Sequence, residues 1–340
     1  ADPALTVTRA LHGALLAGWY LLLVNDPPGR TLTGWVLALA VLTQSIVAAA
    51  QALTQSTAGL AGLHLPWPGT VTAATRGASV VASAEGARWL RAYGTLPHPN
   101  ILGAFLLVYL SGLLAQYLAD GRRRWLAGLG AGAFALALTF SRAAWLGALG
   151  MALAVAGMAR ASTRPRLKVA GAVMALTALL TLAPLAGWLA PRLGLAGPAN
   201  DLERASTLER TLLIGFSLDA WRAQPLTGVG AGAFPQWAAR NTGAGYPFEP
   251  VHNVPLLILA ETGVVGAAAA LALVGAVAGR IWRRRGRMEA AEAAWAAGLV
   301  GLLITGLFDH LWWTQPPARI LAVLVLAQWA RAAAASEAQP

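Results

Sequence analysis

The stretch HNVPLLILAETGVVGAAAALALVGAVAG, residues 252–279, decides the fold of this chain. From Val254 onward it is apolar except around Glu261, and it is long enough to cross a hydrocarbon core of roughly 30 Å, which takes about 20 helical residues. Such a span predicts a membrane protein. The composition agrees, because 57% of the residues are hydrophobic and only 11% are charged, against roughly 25% in soluble domains.

Eight further apolar stretches share this character. They cover residues 11–24, 33–53, 100–119, 125–140, 143–159, 168–190, 295–308 and 319–335. We therefore predict an all-α polytopic membrane protein with about nine transmembrane helices, organised as a single membrane domain over residues 1–340. Two longer segments interrupt it: a first insertion at 54–99, and a large loop at 191–252 that contains short helices.

The basic residues predict the orientation of the spans. They cluster at Arg122–Arg124, Arg160–Lys168 and Arg280–Arg287, which all fall on one side of the membrane under this span count. Short cytoplasmic loops carry the Lys/Arg excess, so we predict that these three loops are cytoplasmic and that both insertions lie on the outer face. The net charge of +11 then follows from topology, and nucleic-acid binding is not expected.

Metal-binding patterns are absent from the sequence. There is no cysteine, and the five histidines are scattered. Disulfides and thiolate metal sites are thereby excluded, and no H-x-x-x-H pair suggests zinc. We expect neither a metal nor another cofactor.

His252 and Asn253 stand where a polar segment meets the apolar span, at its outer end. A histidine with a reference pKa of about 6.5 can act as a general base in water-accessible surroundings, although an ordinary interfacial residue is the plain alternative. In a continuous helix Gly263 shares the face of His252 about three turns deeper, and Gly266 follows one turn later. These glycines would let another helix or a lipid chain approach beneath the histidine.

Glu261 is a second polar residue in the same span. A carboxylate inside an apolar span is usually paired or functional. It lies about 180° round the helix from His252, so it cannot orient that histidine from within the helix. We favour a structural ion pair or hydrogen bond to another helix over direct catalysis.

Arginines on the outer face are candidates for binding a diphosphate, because guanidinium groups bind phosphate oxygens in bidentate fashion. Arg142 stands in a tight turn between two spans, although snorkelling to a phospholipid headgroup would also explain it. Arg210 belongs to a helix predicted over 207–223, which the capping-box spacing of Ser206–Glu209 begins. Arg222 lies on the same helix but about 120° away from Arg210, which makes Arg210 the preferred member.

Two other segments of the outer face carry polar residues. Arg91 lies in a short amphipathic piece, Gly86–Tyr93, and Asn100 is predicted as the N-cap of the next span. The Gly228-x-Gly230-x-Gly232 run could bring backbone N–H groups to phosphate, but a flexible turn is the better interpretation.

Asp309 and His310 form a neighbouring pair that is suggestive, yet adjacent residues point apart on a helix. An interfacial aromatic belt explains Trp312 and Trp313 beside them.

These motifs together resemble the bacterial O-antigen ligases and the related O-antigen polymerase-like proteins. Four matches fall in the right order between about residues 90 and 266: R-x-x-G-T-x-x-x-x-N at 91–100, S-R-x-x-W-L-G at 141–147, P-L-x-G-V-G-x-G-x-F at 225–234 and H-N-x9-G-x-x-G at 252–266. No single motif is decisive, but the joint match is strong.

The resemblance implies a GT-C-like helix bundle in the bacterial inner membrane, with its active site facing the periplasm. It implies metal-independent transfer of a glycan from an undecaprenyl-diphosphate carrier to a lipid A-core, glycan or protein acceptor. His252 would be the catalytic base, and Arg142 and Arg210 would bind the diphosphate, with Arg91 and Arg222 as further candidates. Family members often have around a dozen spans, and either preceding helices or a reduced architecture would account for the nine found here.

Three alternatives remain at this level. A polymerase that joins repeat units would use the same donor chemistry. A lipid-carrier transporter would predict polar residues distributed along the spans, whereas most here lie at outer helix ends. A purely structural membrane protein gives no reason for the histidine and arginines to gather on one side.

Overall fold

A computed structural model describes residues 3–57, 69–195, 201–242 and 249–337. The chain is an all-α polytopic membrane protein, as predicted, with 76% of its residues in helices. The helices are α1 Pro3–Asn25, α2 Arg30–Thr54, α3 Pro99–Asp120, α4 Arg124–Leu138, α5 Arg142–Met158, α6 Arg164–Leu182, α7 Ala186–Arg192, α8 Asp201–Ala223, α9 Phe234–Thr242, α10 Val254–Arg284, α11 Ala290–Gly306, α12 Leu311–Thr314 and α13 Pro316–Glu337. One antiparallel hairpin, β1 Val80–Ala82 and β2 Arg88–Leu90, joins α2 to α3.

Eight of the nine apolar stretches each fall on one α-helix, and the stretch 168–190 runs from α6 through a 3₁₀ turn at Ala183–Leu185 into α7. Within the described ranges six helical segments are long and apolar enough to cross a membrane, and α4, α5 and α11 are shorter apolar helices of 15, 17 and 17 residues. Helix α3 is the centre of the bundle, since Leu102, Leu106, Leu110 and Leu113 are fully buried. Long apolar runs therefore predicted the spans, although not their lengths.

Helices α5 and α11 cross closely because both carry glycine at the contact. A Cβ on Gly147 would lie 3.1 Å from the Gly301 carbonyl oxygen, and one on Gly301 would lie 3.2 Å from the Gly147 oxygen. Small residues at such a crossing let membrane helices pack through their backbones.

The bundle has two chemically different ends. At what we call the basic end, Arg160 pairs with Glu289, the Gly286 N–H donates to the Met158 oxygen at 2.9 Å, and Arg284 pairs with the buried Glu292. The three basic clusters lie at this end. The opposite end, here the site end, gathers the hairpin, the α4–α5 turn, the segments between α6 and α10, and α12.

Helix α10 is broken, which corrects the continuous helix predicted from the sequence. Gly263 has φ +62° and ψ −166°, a backbone region essentially restricted to glycine. The segment 225–230 packs into the break. The Val229 N–H donates to the Ala260 oxygen at 3.0 Å, and the Val264 N–H donates to the Pro225 oxygen at 2.9 Å.

The break gives Gly263 a different role from the predicted one. A Cβ there would lie 2.3 Å from the backbone of Leu226. The glycine therefore admits the 225–230 backbone, and it offers no surface to a helix or lipid chain beneath His252. The three atoms nearest to a Cβ on Gly266 would all belong to the Thr262 side chain of its own helix.

Two predicted local features were also wrong. Helix α8 begins at Asp201, so Ser206–Glu209 lies inside it and does not start it. The N-cap of α3 is His98, whose Nδ1 accepts from the Asn100 N–H at 3.1 Å, because Pro99 takes the first helical position. The Gly86–Tyr93 piece contributes strand β2.

Candidate active site

A cavity of about 260 Å³ opens at the site end. Three arginines from separate segments line it: Arg142 at the start of α5, Arg192 at the end of α7, and Arg210 on α8. The remaining lining residues are Asn100, Ser141, Ala143, Leu146 and Phe308. No carboxylate is among these residues, so the cavity is electropositive and suited to an anion with several oxygens.

Arg142 is held by the tight α4–α5 turn. Phe140 adopts φ +47° and is fully buried, and the Ser141 hydroxyl caps α5 by accepting from the Ala144 N–H at 3.4 Å. Arg142 thus becomes the first residue of α5, where the helix terminus carries partial positive charge. Its guanidinium lines the cavity and donates to the Arg192 carbonyl oxygen at 3.2 Å.

Arg192 was missed by the sequence reasoning. Its Nε donates to the Phe140 carbonyl oxygen at 3.4 Å, which orients the side chain beside Arg142. A signal was available, because a basic residue at the outer end of the 168–190 apolar stretch runs against the positive-inside distribution.

The other two predicted arginines do not line the cavity. Arg222 is exposed and pairs with Asp219 at 2.8 Å. Arg91 is buried, and donates from Nε to the Thr139 oxygen at 2.7 Å and from Nη2 to Asn100 Oδ1 at 2.6 Å. Arg91 therefore supports the cavity wall from behind.

A chain of polar contacts runs from Arg91 through Asn100 to the Asp309–His310 pair. The Asn100 amide donates to Asp309 Oδ2 at 3.0 Å, and the His310 N–H donates to Asp309 Oδ1 at 2.7 Å. His310 Nδ1 lies 2.8 Å from the Thr314 hydroxyl. Asp309 is thereby fixed by residues from α3 and from its own turn.

His252 lies directly before α10, beside this chain of contacts. Asn253 caps α10 by accepting from the Leu256 N–H at 2.9 Å, and its amide donates to the Leu307 oxygen at 2.9 Å. The His252 ring stands edge-on to the His310 ring, with centroids 5.0 Å apart. His252 therefore lies immediately before the first turn of α10, where the sequence predicted it.

Burial lowers the pKa of His252 to about 4, and the nearby His310 and Arg210 act in the same direction against the opposing carboxylate of Asp309. The imidazole is consequently neutral at neutral pH and keeps a lone pair. Its Nε2 lies 4.0 Å from Glu249 Oε2, and Nδ1 has no hydrogen-bond partner among the described residues.

His98 is buried near His252 and has a structural role at the start of α3. Burial and the adjacent Arg91 lower its pKa to about 3. Nδ1 accepts the α3 capping bond, so the neutral ring carries its proton on Nε2 and donates to the Ser79 hydroxyl at 2.7 Å.

Glu261 binds the protein itself. Its carboxylate accepts from the Gly232 N–H at 2.7 Å, the Phe234 N–H at 3.4 Å and the Trp313 indole N–H at 2.6 Å. These contacts tie α9 and α12 to α10, which supports the structural interpretation of this residue. Trp313, which is half-buried, thus uses its indole N–H within the protein.

The glycines at 228, 230 and 232 serve the same junction. The Gly230 N–H donates to the Glu261 carbonyl oxygen at 2.9 Å. Backbone donors that are already used in this way favour the turn interpretation over a phosphate loop. Across the described ranges, no group of three or more His, Cys, Asp or Glu residues is arranged to hold a metal ion.

The fold and this cavity define the class of protein: a multi-pass membrane protein with a cationic site next to a neutral histidine at one end of its helix bundle. Residues 127–271, which include Arg142, Arg210 and His252, match the family model described as O-antigen ligase. The match supports an O-antigen ligase-like family for this chain and confirms the resemblance drawn from its motifs. A search of curated proteins gave no match.

This family is one of ligase- and polymerase-type glycosyltransferases, whose general partners are a lipid-linked glycan and an acceptor.

Proposed function

We propose that this protein transfers a glycan from an undecaprenyl-diphosphate carrier to an acceptor hydroxyl without a metal ion. The observation that carries the proposal is the convergence of Arg142, Arg192 and Arg210 on one cavity beside a neutral His252. A diphosphate has enough oxygen atoms to accept hydrogen bonds from several guanidinium groups. Each of these charge-assisted bonds contributes roughly 1.5 to 3 kcal/mol.

In the proposed reaction the acceptor oxygen attacks the anomeric carbon of the donor sugar. His252 takes the hydroxyl proton as a new carbon–oxygen bond forms. The bond between the anomeric carbon and the phosphate oxygen breaks, and its electron pair leaves with undecaprenyl diphosphate. The arginines stabilise the negative charge that develops on the leaving group.

Donor binding should strengthen the base. Arg210 lowers the pKa of His252 in the free protein, and a bound diphosphate would offset that positive charge with negative charge of its own. The pKa of His252 would therefore rise from about 4 towards the pH at which the protein works, where general-base catalysis is most effective.

We infer that the site faces the periplasm from the bacterial inner membrane, because the three basic clusters lie at the opposite end of the bundle and short cytoplasmic loops hold most Lys and Arg residues. A GT-C-like bundle is the architecture that the resemblance implies. The acceptor we propose is a finished lipid A-core, glycan or protein, while a repeat-unit polymerase would use the same donor chemistry.

The proposal is tested by in vitro transfer from a purified undecaprenyl-diphosphate glycan to candidate acceptors, with wild type, His252→Ala and added chelator. General-base assistance contributes about 10² to 10⁴ in rate, so we expect His252→Ala to be folded and to bind the carrier but to turn over 10²-fold slower or worse. Product size separates ligation from polymerisation. Transfer by His252→Ala at the wild-type rate would show that His252 is not the catalytic base. Loss of activity with chelator would show that the reaction needs a metal ion.

A further inference from the structure

A second cavity, of about 450 Å³, lies between α1 and α13. Its lining comes from two helices only: His12, Leu15, Leu16 and Trp19 of α1, and Pro316, Arg319 and Ile320 of α13. Leu15 is 69% exposed and Ile320 is 44% exposed. In a membrane these side chains face lipid, so the cavity opens sideways to the bilayer and is separate from the arginine-lined site.

Arg319 gives this cavity a charge that the protein leaves uncompensated. No carboxylate of the described residues forms an ion pair with it, and its Nε and Nη2 atoms are shielded from solvent without a hydrogen-bond partner there. Arg9 is close enough to repel it. An unpaired cation against an apolar wall in the membrane is costly, and such residues are normally paired. The missing anion is therefore expected to come from outside the described chain.

Two other polar atoms at the cavity lack partners among the described residues. They are Nδ1 of His12 and the indole Nε1 of Trp19. A cavity meant only for packing would be lined by apolar atoms, whereas these groups can hydrogen-bond to the headgroup or ester oxygens of a lipid.

The position of the cations along the helices matches the shape of a lipid. Arg319 lies in the first turn of α13, which begins at Pro316 at the site end. Arg9 packs against Gly232 of the outer segment, since a Cβ there would come within 2.6 Å of the guanidinium. Trp19 is ten residues beyond Arg9, hence about 15 Å deeper along α1. The cavity is thus cationic near the membrane surface and apolar below it.

We propose that this cavity binds one phospholipid with an anionic headgroup, whose phosphate is held by Arg319 and whose acyl chain lies along Leu15, Leu16 and Trp19. The lipid covers the seam between α1 and α13 and supplies the counter-charge to Arg319. This site is independent of glycosyl transfer, and its test does not use that activity.

Native mass spectrometry of the full chain, released from nanodiscs, measures the binding. The probes are phosphatidylglycerol, phosphatidylcholine with identical acyl chains, and undecaprenyl phosphate. We expect wild type to retain one phosphatidylglycerol in preference to phosphatidylcholine. Arg319→Gln should weaken this retention about 10-fold or more, the value of one charge-assisted contact. Arg331→Gln removes the same charge from the basic end of α13, and is expected to leave retention unchanged.

Leu15→Trp tests the apolar half of the site without changing any charge. The larger side chain fills the cavity, so phosphatidylglycerol retention should fall in this variant too. Equal retention of phosphatidylglycerol by wild type, Arg319→Gln and Leu15→Trp would overturn the site. If phosphatidylcholine binds equally well, the anionic headgroup has no role in binding. If equimolar undecaprenyl phosphate displaces phosphatidylglycerol, the cavity binds the carrier, and the phospholipid proposal is wrong.

Discussion

The side-chain amide of Asn100 donates a 3.0 Å hydrogen bond to the carboxylate of Asp309, which lies 209 residues further along the chain. Asn100 lines the arginine-rich cavity, and Asp309 is the carboxylate whose charge favours a protonated His252. The bond therefore joins the proposed diphosphate site to the proposed base.

Asp309→Asn should slow transfer while the fold is retained. The substitution keeps one of the two acceptor oxygens that the Asn100 amide and the His310 N–H use. It removes the charge that stabilises the imidazolium of His252, so the base weakens and turnover should fall by about 10-fold. The measurement is the transfer rate at neutral pH. Asp219→Asn is the matched control, since Asp219 is an exposed carboxylate paired with Arg222 on α8. Equal rates for Asp309→Asn and wild type would exclude this role.

Arg192→Lys should impair donor binding although the positive charge is retained. Lysine lacks the planar fork that binds two phosphate oxygens together, and it cannot reproduce the 3.4 Å contact to the Phe140 oxygen that orients Arg192. We expect KM for the lipid-linked donor to rise about 10-fold, the value of one lost charge-assisted bond.

Arg222→Lys provides the comparison for Arg192→Lys, because Arg222 is exposed, forms an ion pair with Asp219 and does not line the cavity. It should leave KM for the donor unchanged. If both variants raise KM alike, the effect is one of overall charge and the cavity does not hold the donor.

The spans could be predicted from sequence because each depends on its own run of apolar residues. The break at Gly263 could not, since the apolar pattern continues through it on both sides. It exists because the segment 225–230, which is remote in sequence, supplies donors and acceptors to the opened backbone. Predictions from a continuous helix consequently failed for Gly263, while the position of His252 before the first turn was unaffected.

The candidate site residues show the same difference between what local sequence determines and what packing of remote segments determines. Arg142 and Arg210 were identifiable because each stands beside a recognisable turn or helix on the outer face. Their convergence with Arg192 depends on how α5, α7 and α8 pack, which local sequence does not specify. Arg91 differs from them, because this motif position lies buried behind Asn100 and does not line the cavity.

Gly263→Ala should destabilise the protein strongly. The residue has φ +62° and ψ −166°, a conformation that costs a non-glycine residue about 1 to 3 kcal/mol, and its Cβ would lie 2.3 Å from the Leu226 backbone. The segment 225–230 would have to leave the break. We expect a large drop in the temperature of half-inactivation in detergent.

Gly275→Ala is the control for this substitution on the same helix. Its Cβ would meet no atom within 4 Å, and alanine is favoured over glycine in a helix by roughly 0.5 to 1 kcal/mol, so the thermal stability should be unchanged or slightly higher. Similar stability of both variants would show that the broken geometry of α10 is not required.

The rate of transfer should depend on the protonation of His252, and the midpoint of this dependence should lie at an unusually low pH. The pKa of about 4 means that the base is neutral and competent above that pH and is lost as the pH falls through it. We expect kcat/KM, which reports the free enzyme, to be level from about pH 8 to 5 and to fall with a midpoint near 4. The kcat profile should fall at a higher pH, because the bound diphosphate opposes the effect of Arg210. Stability should decline at a higher pH than kcat/KM does, as the pH falls from 6.5 to 4, because over that range the unfolded state binds the proton that buried His252 does not. Activity regained at once on return to neutral pH separates titration of the base from unfolding, and a kcat/KM midpoint near 6.5 would show that His252 is not the buried, neutral base.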